Sequence, residues 1–436
     1  MSNTARDAAL EALVRCRRDN AWSSATIDNV IIKYGLDRRD AALAAKLSLG
    51  VLQNNSLCDY YIDCFCNTKL EPKLRDILRL GVYQILFLDR IPDRAAVNEA
   101  VSMCKKQGLG KASGLVNAVL RKISDNKNNL PDIPGAGSAK YLSLKYSHPE
   151  WLAEYVIKNK GYEFAEDFFA ANNVEPGLDI QVNRLKISVA DYKKLLNEKS
   201  IEYVEETPEG CILLKGGTAT ELPGFEEGLF YVQDRAARLA AEIAEAAPGM
   251  KVLDCCSSPG GKSFASAILM GNEGTIVSCD IHDKKLRLVR SGAERLAIGI
   301  IETEALDARK FNAEFENAFD LVIADVPCSG LGVIAKKPEI RNKDYQTLQG
   351  LPLIQRDILG NVSRYVKSNG AILYSTCTIL KEENEDIVSD FLEKNHNFAL
   401  EAFNICGISA ESGMYTFWPN VDGTDGFFAA KLRKIN

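Results

Sequence analysis

The fold of the C-terminal half is decided by one stretch, KVLDCCSSPGGK at residues 251–262. Its pattern predicts an apolar strand, a turn with two adjacent glycines and the start of a helix. Downstream, strand-like and helix-like segments alternate, with strands predicted at 275–280, 300–304, 320–324 and 371–375. This alternation is typical of an α/β domain in which helices cover both faces of a doubly wound parallel sheet.

Upstream of that stretch the chain changes character twice. Residues 1–125 contain successive helix-like segments, of which Leu74–Leu88 is apolar densely enough to predict a central, buried helix. A segment rich in Pro, Gly and Asn follows at 126–140, and then a mixture of helix and short-strand patterns. We predict an all-α domain at 1–125, a linker at 126–145, a small α+β domain at 146–232 and the α/β domain at 233–436.

The net charge of −6 hides an uneven distribution along the 436 residues. Lys and Arg outnumber Asp and Glu by 21 to 15 in residues 1–140, but are outnumbered by 19 to 11 in 141–250 and by 25 to 21 in 251–436. A basic region joined to acidic ones favours a nucleic-acid partner, although a surplus of this size does not decide the matter alone.

The composition excludes several classes of protein. Hydrophobic residues make up 46% and charged residues 26% of the chain, which is typical of globular proteins. No apolar run approaches the roughly 18 residues that span a bilayer, and the first residues lack the apolar core of a signal peptide. The 12 cysteines form no C-x-x-C pair, so neither a disulfide scaffold nor a zinc site is predicted. We expect a monomeric cytoplasmic protein with reduced thiols, no metal and no membrane association.

The glycine turn favours a cofactor that contains adenosine. GGKS at 260–263 is similar to the end of a phosphate-binding P-loop, but Cys256 stands where that motif needs a glycine, and no G-x-G-x-x-G is present. Acids follow three successive predicted strands, at Asp280, Asp307 and Asp325. A carboxylate after the second strand can accept the ribose hydroxyls, and Asp307 can contact the adenine amino group. This set favours S-adenosylmethionine.

Two cysteines follow the carboxyl ends of predicted strands, at the ligand-binding edge of the sheet. Cys328 follows one apolar strand and Cys377 follows the next, so we expect the two thiols to converge. A thiolate that adds to carbon 6 of a pyrimidine makes carbon 5 nucleophilic enough to accept a methyl group. Asp325 can bind the N3–N4 edge of a cytosine, and Lys262 is a nearby cation that can favour the thiolate. The target base must leave its stack to enter such a pocket.

These residues resemble a known family. DVPCSG at 325–330 and STCT at 375–378 look like the paired Pro-Cys and Thr-Cys motifs of RNA cytosine-5 methyltransferases, and DCCSSPGGK at 254–262 resembles their S-adenosylmethionine loop. Segments of the helical region, LGVYQ at 80–84, AVNEAV at 96–101 and VNAVLR at 116–121, are similar to the antitermination factor NusB. SHPEW at 147–151 and VQD at 232–234 resemble the middle of the Sun/Fmu (RsmB) family, so the chain is identified as a member of that family of 16S ribosomal RNA methyltransferases.

The resemblance implies an architecture and a set of roles. It implies a NusB-like RNA-binding domain, a small α+β RNA-binding or adaptor domain and a Rossmann-like class I methyltransferase domain, acting on 16S ribosomal RNA. Cys377 would be the nucleophile on carbon 6, Cys328 would help to resolve the covalent adduct, and Asp325 completes the catalytic set. The cofactor would contact Cys256, Ser257, Ser258, Pro259, Gly260, Gly261, Lys262, Asp280, Asp307 and Asp325.

The sequence departs from the family's usual motifs at several positions and leaves two alternative functions open. Ser257 and Ser258 replace two alanines common in the family, and Gln181 replaces an arginine, so an RNA contact there would weaken or pass to Arg184. The Glu-Asn-Val motif of DNA cytosine-5 methyltransferases, whose nucleophile is the Pro-Cys cysteine, is absent. The same chemistry on transfer RNA or another RNA is one alternative, and a non-catalytic RNA-binding protein of the NusB type is another. For His148 and Trp151 we predict a structural role in packing the middle domain.

Overall fold

The computed structural model describes residues 4–19 and 23–435, which divide into two compact units. The N-terminal unit comprises Met1–Val174 together with Ile334–Tyr345, and the C-terminal unit comprises Glu175–Val333 and Gln346–Asn436. This division groups the helices at 150–171 with the N-terminal helices. It also places Ile334–Tyr345, a segment of the predicted α/β domain, in the N-terminal unit. The predicted boundaries of the three domains stay predictions.

The N-terminal unit is helical, as its sequence predicts. Its helices are α1 (Ala5–Asp19), α2 (Ser23–Tyr34), α3 (Arg38–Gln53), α4 (Asn55–Phe65), α5 (Pro72–Phe87), α6 (Asp93–Lys106), α7 (Ser113–Asp125), α8 (Ala139–Tyr146), α9 (Glu150–Lys160) and α10 (Tyr162–Ala171). Helix α5 is buried almost throughout Leu74–Ile85, as expected of a central helix. Helix α8 begins inside the predicted linker because the Ser138 hydroxyl accepts a hydrogen bond from the Tyr141 N–H, 3.2 Å away, and caps it.

The segment Ile334–Tyr345 is anchored in this unit by one buried guanidinium. Arg341 is 7% exposed and donates hydrogen bonds to the main-chain carbonyls of Gln53, Tyr146, Ser147 and Asn172. Burial lowers the pKa of Arg341 to about 9, so several carbonyl acceptors are needed to hold its charge.

His148 and Trp151 lie beside this anchor. His148 is buried with its Nδ1 2.7 Å from the Tyr146 carbonyl, and burial, with the Arg341 charge beside it, holds its pKa well below the usual range. The Trp151 indole donates a hydrogen bond to the Lys343 carbonyl, 3.1 Å away. Both residues therefore make structural contacts, but within the N-terminal unit rather than in the middle domain, where the sequence predicts them.

The first part of the C-terminal unit is a four-stranded antiparallel sheet with one helix. Its strands β1 (Leu178–Val182), β2 (Tyr203–Glu206), β3 (Cys211–Leu214) and β4 (Phe230–Val232) lie in the order β2-β3-β1-β4, and helix α11 (Val189–Glu198) packs against them. Gln181 is 2% exposed and donates a hydrogen bond to the Gln233 carbonyl, 3.0 Å away. Its side chain is therefore internal, while the guanidinium of Arg184 lies 3.5 Å from the Glu209 carboxylate.

The rest of the C-terminal unit is built on a mixed sheet with the order β10-β14-β9-β8-β5-β6-β7, in which β13 also pairs with β14. The strands are β5 (Lys251–Asp254), β6 (Thr275–Asp280), β7 (Ile301–Ala305), β8 (Phe319–Asp325), β9 (Val366–Thr376), β10 (Phe398–Leu400), β13 (Met414–Phe417) and β14 (Phe427–Lys434), and a separate hairpin holds β11 (Phe403–Ile405) and β12 (Ile408–Ala410). The helices are α12 (Arg235–Ala244), α13 (Gly261–Leu269), α14 (Asp283–Leu296), α15 (Leu351–Val362), α16 (Glu385–Lys394) and α17 (Pro419–Asp422).

The five strands predicted from the sequence form the parallel centre of this sheet, while β10, β13 and β14 add antiparallel neighbours. The order of the strands reverses between β5 and β8, since β6 and β7 lie on one side of β5 and β8 and β9 on the other. Ligands of such sheets bind beyond the carboxyl ends of the strands at this reversal. The predicted site residues follow these strand ends.

Candidate active site

The loop between β5 and α13 is shaped by its own sequence. Ser257 donates its N–H and its hydroxyl to the Cys279 carbonyl, at 2.8 and 3.0 Å, which ties the loop to β6. Gly260 has a φ of +118°, and a Cβ there would lie 2.4 Å from the Phe264 ring. Only glycine fits that position, and it leads the chain directly into the N-terminus of α13.

The polar groups around this loop fit a ligand with several hydrogen-bonding groups. Asp254 Oδ1 and Ser258 Oγ are buried without a hydrogen-bond partner, a costly state that a bound ligand or water relieves. Burial raises the pKa of Asp254 to about 7, although the Ser263 hydroxyl donates to its other oxygen at 2.7 Å.

The two acids predicted to bind the adenosine part differ in their surroundings. Asp280 is 9% exposed and accepts a hydrogen bond from the His282 N–H, 2.9 Å away. Asp307 accepts three hydrogen bonds from Arg309, at 2.8 to 3.1 Å, and this guanidinium lowers the pKa of Asp307. Both acids thus accept a main-chain hydrogen bond within their own loops, but Asp307 is also bound by a guanidinium, whereas Asp280 presents a buried carboxylate at the strand end.

The two thiols meet. Cys328 Sγ lies 3.2 Å from Cys377 Sγ, and both residues are half-buried. Contact with the Cys377 thiol, together with burial, raises the pKa of Cys328 well above its usual value. Two thiolates at this distance would repel strongly, so at most one of the pair ionises at a time.

Asp325 lies between the thiol loops and the cofactor loop. One of its oxygens is 2.6 Å from Lys262 Nζ, and the other accepts a hydrogen bond from the Ser375 hydroxyl at 2.9 Å. Lys262 is 7% exposed, and its Nζ also lies 4.8 Å from the centre of the Phe427 ring. Lys262, the cation predicted to favour the thiolate, is therefore paired with Asp325, and both side chains are held in place.

Sequence reasoning missed two buried residues behind the thiols. The Glu383 carboxylate accepts a hydrogen bond from the Ser329 N–H at 2.9 Å and another from the Gln355 side chain at 2.8 Å. The only signal in the sequence was the Glu383-Asn384 pair that follows the Thr-Cys motif. The position of this pair in the sequence does not indicate that Glu383 contacts Ser329, which lies 54 positions earlier.

Comparisons with known proteins agree with this arrangement. Residues 241–433 match the model of the 16S rRNA methyltransferase RsmB/F family, residues 3–125 match the NusB family, and residues 148–220 match the ferredoxin-like domain of RsmF/B-like methyltransferases. A Bacillus subtilis protein named "Probable ribosomal RNA small subunit methyltransferase B" is 34% identical, and the match covers 98% of each chain. The chain belongs to the RsmB/F family of rRNA methyltransferases. A Synechocystis protein of the same name is 32% identical over 99% of each chain.

Membership of the RsmB/F family confirms several predictions. The predicted fold is correct in its three parts, and S-adenosylmethionine is the cofactor. The crystal structure of PH0851 superposes with a TM-score of 0.82 at 27% identity and covers the whole of both chains. The assignment of individual site residues stays a prediction.

Within 4–19 and 23–435 no helix is both long and apolar enough to cross a membrane. The same residues contain no group of three or more His, Cys, Asp or Glu side chains that could hold a metal ion.

Proposed function

We propose that this member of the RsmB/F family methylates carbon 5 of a cytosine in 16S ribosomal RNA through a covalent enzyme–RNA adduct. The observation that carries the proposal is the contact between Cys328 Sγ and Cys377 Sγ, 3.2 Å, beside the Asp325 carboxylate. A single buried thiol would have an ordinary structural explanation. Two thiols from separate strand ends, in contact at the ligand-binding edge, suit a reaction that forms and then breaks a carbon–sulfur bond.

Cys377 is the proposed nucleophile. Its thiolate adds to carbon 6, the electrons of the C5–C6 double bond form a C4–C5 double bond, and those of the C4–N3 double bond pass to N3, which takes up a proton; carbon 5 of the resulting enamine is nucleophilic. Asp325 can bind the N3–N4 edge of the cytosine and favour the ring protonation that accompanies this addition. Lys262 and Ser375 hold Asp325 from two sides, so the carboxylate is positioned before the base arrives.

The cofactor site shares Lys262 and Asp325 with the catalytic set and adds residues of its own. S-adenosylmethionine, when bound, supplies the methyl group of its sulfonium, and the rest of the cofactor is left as a neutral thioether. The turn from Cys256 to Lys262 would bring main-chain groups close to the ligand, and Asp280 would accept the ribose hydroxyls. The assignments of Ser257, Ser258, Pro259, Gly261 and Asp307 belong to the same proposal, although Asp307 must first give up bonds to Arg309.

Release of the product needs the second thiol. After methylation, carbon 5 must lose its proton, the C5–C6 double bond re-forms, and the carbon–sulfur bond breaks with its electron pair on Cys377 Sγ. Cys328 lies in contact with that sulfur and is the proposed acceptor of the proton. Both thiols must stay reduced, which agrees with the expected cytoplasmic location.

The experiment that tests the proposal is bisulfite sequencing of RNA from cells with and without the gene. We expect one cytosine of 16S ribosomal RNA to lose its protection when the gene is deleted, and to regain it when purified protein and S-adenosylmethionine are supplied. Protection lost only from transfer RNA would support the same chemistry on that alternative substrate. An unchanged protection pattern in all RNA would show that the proposed reaction is wrong.

A further inference from the structure

A buried carboxylate holds the loop that carries the second thiol. Glu383 lies in a 3₁₀ turn, Lys381–Glu383, that follows the Cys377 loop, and it is 1% exposed. Its Oε2 accepts a hydrogen bond from the N–H of Ser329, the residue directly after Cys328, at 2.9 Å. The Tyr374 hydroxyl donates to the Glu383 carbonyl at 2.6 Å, so β9 fixes the turn itself. Glu383 thus links the two thiol loops.

A second side chain completes the link from helix α15. Gln355 is fully buried, and its Nε2 donates both to Glu383 Oε2 at 2.8 Å and to the Pro327 carbonyl at 3.0 Å. The main chain is therefore held on each side of Cys328, through the carbonyl before it and the N–H after it. One further hydrogen bond, 2.6 Å between the hydroxyls of Ser329 and Thr378, joins the residues that follow the two cysteines.

The choice of a carboxylate for this position is informative. A buried charge is costly, and a neutral side chain could accept the same two hydrogen bonds at lower cost. The Glu383 charge has an effect that a neutral group would lack, because it adds to the contact with Cys377 and to burial in raising the pKa of Cys328. The same charge therefore sets the pH range in which Cys328 can lose its proton and act in release.

We propose that Glu383, together with Gln355, is a positioning residue that places Cys328 against Cys377 and acts on release of the covalent adduct rather than on its formation. This inference rests on the function proposed above. During formation, Cys377 carries the negative charge and Cys328 keeps its proton. Once the Cys377 sulfur is a neutral thioether, Cys328 can lose its proton to solvent and then accept the proton of carbon 5 as the C6–Sγ bond breaks.

The experiment measures the two steps separately in single turnover. The full-length enzyme is mixed with methyl-labelled S-adenosylmethionine and 16S ribosomal RNA from cells lacking the gene, and samples are resolved on a denaturing gel. The protein–RNA band reports the adduct, and labelled free RNA reports release. The variants are Glu383→Ala, Glu383→Gln and Gln355→Ala, with Cys328→Ala as the reference for blocked release. Glu385→Ala is the matched control, because that partly exposed carboxylate accepts instead from the Thr416 hydroxyl.

Distinct results are expected for the variants. Glu383→Ala should form adduct at a rate within about threefold of the wild type but release it at least about thirtyfold more slowly, since the Ser329 N–H loses its acceptor and Gln355 loses the carboxylate that orients it. Glu383→Gln keeps an acceptor oxygen, so its release should stay within about fivefold of the wild-type rate. Its pH profile of release should move to lower pH, because the charge that disfavours the Cys328 thiolate is gone. Gln355→Ala should slow release by about tenfold, and Glu385→Ala should match the wild type.

Several outcomes would overturn the inference. Release of the adduct by Glu383→Ala at the wild-type rate would overturn it. Equal decreases in the rates of adduct formation and release, accompanied by a lower melting temperature, would also overturn it. If Glu383→Ala does not fold, an unshifted pH profile of Glu383→Gln together with wild-type release by Gln355→Ala would still refute it. A Cys328→Ala enzyme that accumulates no adduct would instead contradict the proposed function itself. The proposed role of Glu383 would then be wrong as well, because it rests on that function.

Discussion

On the β8–β9 side of the sheet edge the predicted site residues bond to one another across long stretches of chain, whereas on the β6–β7 side they bond within their own loops. Cys328 meets Cys377 and Asp325 meets Lys262, pairs that lie 49 and 63 positions apart in the sequence. Asp280 and Asp307 each accept from an N–H two residues further on.

The two sides of the site have different tasks. The side with long-range contacts presents groups that are fixed before substrate arrives, as chemistry at one ring atom requires. The other side needs only to offer acceptors to a flexible ligand, and local turns supply them. Substitutions on the first side should therefore affect turnover, and those on the second side should affect cofactor affinity.

The largest effect is expected from Cys377→Ala. Without the thiol no bond to carbon 6 can form, so methylation should fall by about 10⁴-fold or more. RNA containing 5-fluorocytosine should give no shifted protein band on a denaturing gel, while cofactor binding persists. Cys406→Ala removes an exposed thiol and is the control that should retain full activity. Near-normal turnover by Cys377→Ala would refute its assignment as nucleophile.

Asp325→Asn should have the next largest effect. It leaves the shape of the side chain but removes the charge that Lys262 and Ser375 hold in place, so kcat should fall by about 10²- to 10³-fold. The affinity for cofactor should change much less. The matched control is Asp320→Asn near the other end of β8, whose carboxylate pairs with Lys367, and its kcat should stay within about threefold. If both variants behaved alike, the loss would be one of fold stability, and Asp325 would have no catalytic role.

The five parallel strands, their ends and the meeting of Cys328 and Cys377 could be predicted from sequence, because side chains that follow parallel strands reach one edge. The bonds of Glu383 and Gln355 could not, since hydrogen bonds to the main chain of a distant loop leave no periodic pattern. The anchoring of Arg341 was missed for a similar reason, because its partners are carbonyls, which every residue has. Strand β14 was missed because it pairs antiparallel with β9, outside the strand–helix alternation.

The two acids of the cofactor side should separate in a binding experiment. Asp280→Asn should weaken S-adenosylmethionine binding about tenfold, because a buried acceptor of the ribose hydroxyls loses its charge. Asp307→Asn should weaken it by about threefold or less, since that carboxylate is already bonded to Arg309. Isothermal titration of the cofactor into each variant measures both values. The opposite ranking would mean that Arg309 releases Asp307 when the ligand binds.

The smallest effect on cofactor binding at pH 8, within about threefold, is expected from Asp254→Asn, where the amide keeps an oxygen to accept from Ser263.

The effect of Asp254→Asn on stability should instead depend on pH. Burial raises the pKa of Asp254 in the folded protein to about 7, above its usual 3.8, so the wild type binds a proton in this interval that the unfolded chain has lost. That carboxylate therefore lowers the free energy of unfolding as the pH rises from 4 to 7. The asparagine cannot ionise, so the free energy of unfolding of the variant relative to wild type should increase across that interval and level off above it. Denaturant unfolding at pH 5 and pH 8 measures this difference, and an equal difference at both values would place Asp254 in contact with water despite its burial.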